Sequence, residues 1–206
     1  MKISKINQKN FKEILKIAVN SIRKGKIIIC PTDTVYGLVC DATNEKAVKK
    51  LFKIKKRPKE KAIPIFVKDI KMTKKIAQID KRRGKILKKV WPGKVTVVLK
   101  QTRLRPSGFG GRRKIKLYGV EKKTIALRIP KYKLVNELLK KLNLPLSGTS
   151  ANISGKPPSI KIKEIIKQFK NQKYQPDLIL DSGNLKSSRP STVIDLTGKK
   201  IKILRK

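Results

Sequence analysis

Lys26-Ile27-Ile28-Ile29-Cys30-Pro31-Thr32-Asp33-Thr34-Val35-Tyr36-Gly37-Leu38 joins a β-branched run to a polar loop through a proline. Residues 26–30 read as a short buried strand, which Pro31 stops because proline cannot donate to a ladder. Upstream, Phe11, Ile14, Leu15, Ala18 and Ile22 recur at helical spacing and Gly25 is placed to end the helix, predicting a helix over 8–24. Downstream, Asn44 is a candidate cap for a helix with Ala47, Val48, Leu51 and Phe52 on one face, ending near Lys55-Lys56-Arg57-Pro58. A buried strand between two amphipathic helices is the start of an α/β domain.

The rest of the chain continues the alternation. Ile63-Pro64-Ile65-Phe66-Val67 predicts a strand at an edge or bulge. Two short basic helices fill 69–90, Trp91-Pro92-Gly93 makes a turn, and Val95–Leu99 is a strong strand. The stretch 101–123, with its glycines at 108, 110 and 111, has no period and reads as a mobile loop. Its glycines do not satisfy GxGxxG and no GxxxxGK[ST] occurs, so Rossmann and P-loop readings lose their support. Strands over 124–129, 177–180, 191–196 and 201–205, a short one near Leu146, and helices over 134–142 and 160–170 complete the pattern. The expectation is one domain over 1–206, built around one mixed sheet.

Composition narrows the chemistry. The 206 residues carry 55 Lys+Arg, 13 Asp+Glu and no histidine, for a net charge of +42. Without His there is no Ser-His-Asp or Cys-His unit and no His-ligated zinc. The two cysteines form no CxxC pair, which suggests reduced thiols in a cytosol. The first ten residues lack a signal-peptide apolar stretch and no run approaches a membrane span, so a soluble, cytoplasmic protein without membrane contact is expected. Lysines pepper nearly every segment, which reads as compositional bias more than as a dedicated nucleic-acid face.

Three polar segments, 31–37, 55–61 and 147–155, interrupt the apolar strands, and such segments are where scaffolds carry function. Lys55 and Arg57 stand two apart and Pro58 biases Arg57 toward extended backbone, so both cations can point to one side. Ser150 and Asn152 share that spacing. Two cations, a hydroxyl and an amide suit a phosphate-bearing ligand. Taken alone, Lys-x-Arg also reads as a solvated pair and Ser-x-Asn as a turn.

The motifs Cys30–Leu38, Lys55-Lys56-Arg57-Pro58, Trp91-Pro92-Gly93, Leu127-Arg128-Ile129-Pro130, Thr149-Ser150-Ala151-Asn152-Ile153-Ser154-Gly155 and Ser191–Asp195 stand in one order. In that order and over nearly the whole chain the sequence resembles the YrdC-like threonylcarbamoyl-AMP synthase family. The resemblance implies a YrdC-like α/β fold, a twisted mixed sheet flanked by helices with a concave, positively charged cavity. It implies a nucleotidyltransferase in the minimal single-domain form. Such an enzyme makes threonylcarbamoyl-AMP and pyrophosphate from L-threonine, bicarbonate and ATP, for threonylcarbamoyladenosine modification of tRNA. Mg2+ is implied through the ATP phosphates, with no protein metal ligand. The family's tetrad falls on Lys55, Arg57, Ser150 and Asn152. ATP contacts are implied at Arg57, Lys61, Thr124, Ser150, Ser159 and Arg205, and threonine contacts at Thr34, Arg128 and Ser191.

Two departures stand out. Phe66 lies where many relatives have a histidine, and Lys61 where a neutral amide is common. Asp33 and Asp195 are the carboxylates nearest the motifs, suited equally to orienting a cation and to capping. Two other readings compete: a non-catalytic RNA-binding member of the same fold, with tRNA as a direct partner, and carbamoyl chemistry with another acceptor, as in hydrogenase-maturation proteins.

Overall fold

The structure, a computed structural model, describes residues 1–102 and 115–206, so the glycine-rich part of the expected loop at 107–113 lies outside the described residues. In chain order the elements are β1 Lys2–Lys5, α1 Phe11–Arg23, β2 Ile28–Cys30, β3 Gly37–Val39, α2 Glu45–Lys55 and β4 Ile65–Phe66. Next come α3 Ile70–Ile76, α4 Lys81–Val90, β5 Val95–Lys100, β6 Thr124–Arg128, α5 Lys133–Leu142, β7 Leu146–Ser147 and β8 Thr149–Ser150. The chain continues through α6 Ile162–Phe169, β9 Leu178–Asp181, β10 Thr192–Asp195 and β11 Lys202–Arg205.

The strands form two mixed sheets where one was expected. The first has the order β1-β9-β2-β3-β8 and the second β11-β10-β5-β6-β4-β7. The chain passes from the second sheet to the first at Gly148, between β7 and β8. A Cβ on Gly148 would stand 2.5 Å from the Phe66 ring, so only glycine lets the crossover run beneath it. A five-residue run gives no periodicity from which this change of sheet can be read.

Side-chain alternation in β2 explains the layering. Ile28 and Cys30 face one way and pack with Leu15, Ala18 and Ile22 of α1 and Leu134 and Leu138 of α5. Ile27 and Ile29 face the other way, against Val48 and Leu51 of α2 and Ile165 and Phe169 of α6. A third cluster, with Val97, Leu127 and Ile65, packs the second sheet on Met72 and Ile76 of α3 and Leu87 of α4. Gly25 takes φ +70° after α1, where a side chain would be strained. Asn44 caps α2, its side chain accepting from Ala47 N–H.

Beyond the two sheets, other readings change. Strand β1 was not expected, because its residues are mostly exposed and leave no apolar alternation, yet it pairs in parallel with β9. Strand β3 takes residues read as the end of the polar motif. Ile115, Leu117 and Val120, inside the expected loop, pack against the third cluster. No helix among the described residues is long and apolar enough to cross a membrane.

Candidate functional site

The loop between β2 and β3 is the bridge of the site. At its far end Gly37 pairs with Ser150 across β3–β8, and Ala151 N–H donates to Tyr36 O at 2.8 Å. This brings the third polar segment onto the first. Helix α2 brings the second, because it ends on Lys55, which is only 2% exposed.

Lys55 Nζ donates to Ser150 O at 2.7 Å, Asn152 O at 2.9 Å and Asn152 Oδ1 at 2.8 Å, and lies 3.5 Å from Ser150 Oγ. An ammonium has three protons, and the three shorter contacts occupy them. Ser150 Oγ donates to Asn152 Oδ1 at 2.6 Å, and Asn152 Nδ2 reaches Ile153 O and Lys156 O. The three residues are therefore one hydrogen-bonded unit. Burial first, and then the charge of Arg57, push the Lys55 ammonium down to about 7.

Arg57 sits past the end of α2, half-buried, with Nε donating to Lys61 O at 2.8 Å and Nη2 to Ala62 O at 2.7 Å. It closes the 57–62 turn on itself and keeps three N–H groups outside these bonds. Lys61 enters this turn through its backbone, while its side chain is exposed.

On the other side of the loop, Arg128 at the end of β6 is 4% exposed. Its Nη2 pairs with Asp33 Oδ1 at 2.7 Å, Nη1 points at Thr34 Oγ1 at 3.4 Å, and Nε donates to Gly93 O at 2.9 Å. Asp33 therefore orients a cation, and Lys131 N–H occupies its second oxygen at 2.9 Å. The Trp91-Pro92-Gly93 turn holds this arginine, since Gly93 N–H also donates to Ile129 O at 2.9 Å. Phe66 is the cross-strand neighbour of Arg128, and its apolar ring offers no hydrogen bond there.

Arg205 of β11 donates through Nε and Nη2 to Ser191 O, and Ser191 Oγ lies 2.8 Å from Thr96 Oγ1. Arg205 is close enough to Arg128 for its charge to act with burial in lowering the Arg128 pKa, against the opposing pull of Asp33. Ser159 is engaged elsewhere, donating to Glu164 Oε2 at 2.6 Å and accepting from Lys161 N–H just ahead of α6. Thr124 opens β6, four residues from Arg128, or about 14 Å at ~3.4 Å per residue. The structure thus brings together Lys55, Ser150 and Asn152, separately Thr34 and Arg128, and separately again Ser191 and Arg205. Among the described residues no side-chain hydrogen bond joins Ser159 or Thr124 to either of the first two groups. Sequence reasoning had no signal for the Gly93 carbonyl, because a backbone oxygen has no residue signature.

Several known proteins are similar. A Methanocaldococcus jannaschii protein, provisionally named a threonylcarbamoyl-AMP synthase, is 36% identical over 205 residues, covering 100% of this chain and 91% of that one. The crystal structure of Pyrococcus abyssi Sua5 complexed with L-threonine superposes with a TM-score of 0.80 at 31% identity, covering 99% of this chain and 56% of that one. The chain thus spans about half the length of the Pyrococcus abyssi protein. Escherichia coli YciO, named as an uncharacterized protein, superposes with a TM-score of 0.79 at 27% identity, covering 100% of this chain and 93% of that one. A family profile described as telomere recombination matches residues 20–206. With this match over most of its length and a YciO- and Sua5-like fold, the chain belongs to the Sua5/YciO/YrdC family.

Proposed function

We propose that this chain is an L-threonylcarbamoyladenylate synthase, a nucleotidyltransferase that makes threonylcarbamoyl-AMP and pyrophosphate from L-threonine, bicarbonate and ATP. The observation that carries the proposal is the gathering of Lys55 with Ser150 and Asn152, 95 and 97 residues away, into one unit at the Gly37 end of the loop that also carries Thr34, the partner of Arg128. Names of relatives and the threonine-bound Pyrococcus abyssi structure support it.

In this reading the threonine amine captures carbon dioxide derived from bicarbonate, and a carbamate oxygen attacks the α-phosphorus of ATP as the bond to pyrophosphate breaks. The nucleophile belongs to the substrate, so a chain without histidine lacks nothing the reaction needs. The protein positions two anions and supplies fixed positive charge. Arg57, less buried than Lys55 and with N–H groups to spare, faces the phosphates. Lys55 holds Ser150 and Asn152 in place. Arg128 takes the threonine carboxylate, beside Thr34 and Ser191. The family resemblance implies a concave, positively charged cavity, and this reading puts it between these groups.

Mg2+, which neutralises phosphate charge when bound, would arrive on the triphosphate. The side chains gathered here are cations, hydroxyls and an amide, the carboxylate of Asp33 is taken by Arg128 and Lys131 N–H, and no cluster of three or more His, Cys, Asp or Glu occurs among the described residues. These residues do not make a metal cage, and no step is assigned to the ion. The product is an activated acyl group for tRNA modification. The test is incubation with ATP, bicarbonate and each amino acid in turn, with assay of pyrophosphate and the acyl adenylate. Threonine-dependent formation of both is expected, and none with threonine would refute the proposal.

A further inference from the structure

The loop ahead of β3 holds a hydrogen-bond chain whose direction is fixed. Thr32 Oγ1 donates its single proton to Val35 O at 2.6 Å. In the 3.1 Å contact between the two threonine hydroxyls, Thr34 Oγ1 must therefore be the donor. Thr34 N–H also reaches Thr32 Oγ1 at 3.1 Å, which fills both lone pairs of Thr32. Arg128 Nη1 donates into Thr34 Oγ1. Protons thus run from Arg128 to Thr34, from Thr34 to Thr32, and from Thr32 to Val35 O.

The guanidinium is held as firmly. Gly93 O takes Nε and Asp33 Oδ1 takes Nη2, while Asp33 Oδ2 is pinned by Lys131 N–H. The Asp33 and Arg128 side chains are 7% and 4% exposed, so solvent does not loosen the pair. Of the five guanidinium N–H groups, one on Nη1 and one on Nη2 are left outside these bonds, and Thr34 Oγ1 keeps one lone pair.

We propose that Thr32 and Asp33 are positioning residues that set the polarity of the amino-acid pocket. Asp33 aims the two remaining Arg128 N–H groups at a carboxylate, and Thr32 takes the Thr34 proton so that Thr34 presents an acceptor. A pocket with paired donors beside an acceptor fits a zwitterionic α-amino acid, its carboxylate on Arg128 and a donating ammonium or hydroxyl group on Thr34. This deepens the synthase reading and rests on it for the identity of the amino acid. Neither Thr32 nor Asp33 needs to touch the substrate.

The decisive variant is Thr32→Val, which keeps the shape and removes the hydroxyl, freeing the Thr34 proton to point into the pocket. Threonine KM and the calorimetric Kd for L-threonine should rise about tenfold while the KM for ATP stays level, the signature of a lost substrate interaction rather than a general loss of structure. Thr32→Ser restores the acceptor and should restore both constants. Asp33→Asn should weaken threonine by ~10–100-fold in the same way, because Arg128 loses its counter-charge and its aim. If Asp33→Asn does not fold, the Thr32 pair still decides. The proposal is overturned by a Thr32→Val protein whose threonine constants match wild type, by an equal rise in the ATP KM, or by a Thr32→Ser protein that is not rescued. Calorimetry separates the two readings. Wild-type protein that binds threonine in a Thr32-dependent way without turnover sinks the synthase and keeps the positioning; wild-type protein that binds no threonine sinks both.

Discussion

Replacing Lys55 by Met keeps the stem and removes the ammonium, so three oxygens lose the protons it donates. Of these, Ser150 O keeps Asn152 N–H at 3.0 Å and Asn152 Oδ1 keeps Ser150 Oγ at 2.6 Å. Asn152 O loses its donor. A buried acceptor left unpaired costs about 1–3 kcal/mol. Against that, the variant no longer buries a charge, a cost of several kcal/mol in its own right. The net loss should stay under ~3 kcal/mol, so Tm should fall by less than about 12 °C in a chain of this size. Catalysis should suffer more, because the tie between α2 and the Ser150–Asn152 segment is gone and a misplacement near 1 Å costs about 100-fold. The assay is threonine-dependent pyrophosphate release beside a thermal melt. A folded Lys55→Met protein with turnover within about threefold of wild type would refute the positioning role.

Three further perturbations probe separate parts of the molecule. The lowered Lys55 pKa means that the unfolded chain binds more protons than the folded one between about 7 and the ordinary 10.5. The stability difference between wild type and Lys55→Met should therefore shift in favour of wild type as pH rises through that window and stay level below it. Urea unfolding at several pH values reads this, and a flat difference across the window speaks against the lowered value. Gly148→Ala drives a Cβ into the Phe66 ring and should destabilise by about 1–3 kcal/mol, with partial rescue by Phe66→Leu; a wild-type melting curve would remove the crossover argument. Asp69→Ala removes the side-chain cap on Met72 N–H at the start of α3 and should cost about 1 kcal/mol without changing the threonine KM, as denaturation and steady-state kinetics would show.

Local patterns carried much of the reading. The spacing of Ile14, Leu15, Ala18 and Ile22 placed α1 because burial of one helical face repeats with the helix itself. The β-branched run before Pro31 placed β2, whereas spacing and charge made Lys55 and Arg57 candidates that read equally as a solvated pair until the ordered motifs were taken together. Strand β1 escaped notice because an exposed edge strand needs no apolar face, and 115–120 because packed loop residues follow no period.

What the sequence alone determined is which side chains are present and which short segments have a period: the helices, most strands, the absence of imidazole chemistry and the polar motifs. Tertiary structure decided that the strands divide between two sheets and that the chain returns from the second to the first at Gly148. It decided that Lys55 uses its protons on Ser150 and Asn152, and that Arg128 takes Asp33 as partner. The reason is physical. Periodicity records burial between near neighbours, whereas Lys55 meets Ser150 across 95 residues and Arg128 meets Asp33 across 95, through directional bonds that leave no repeat in the chain.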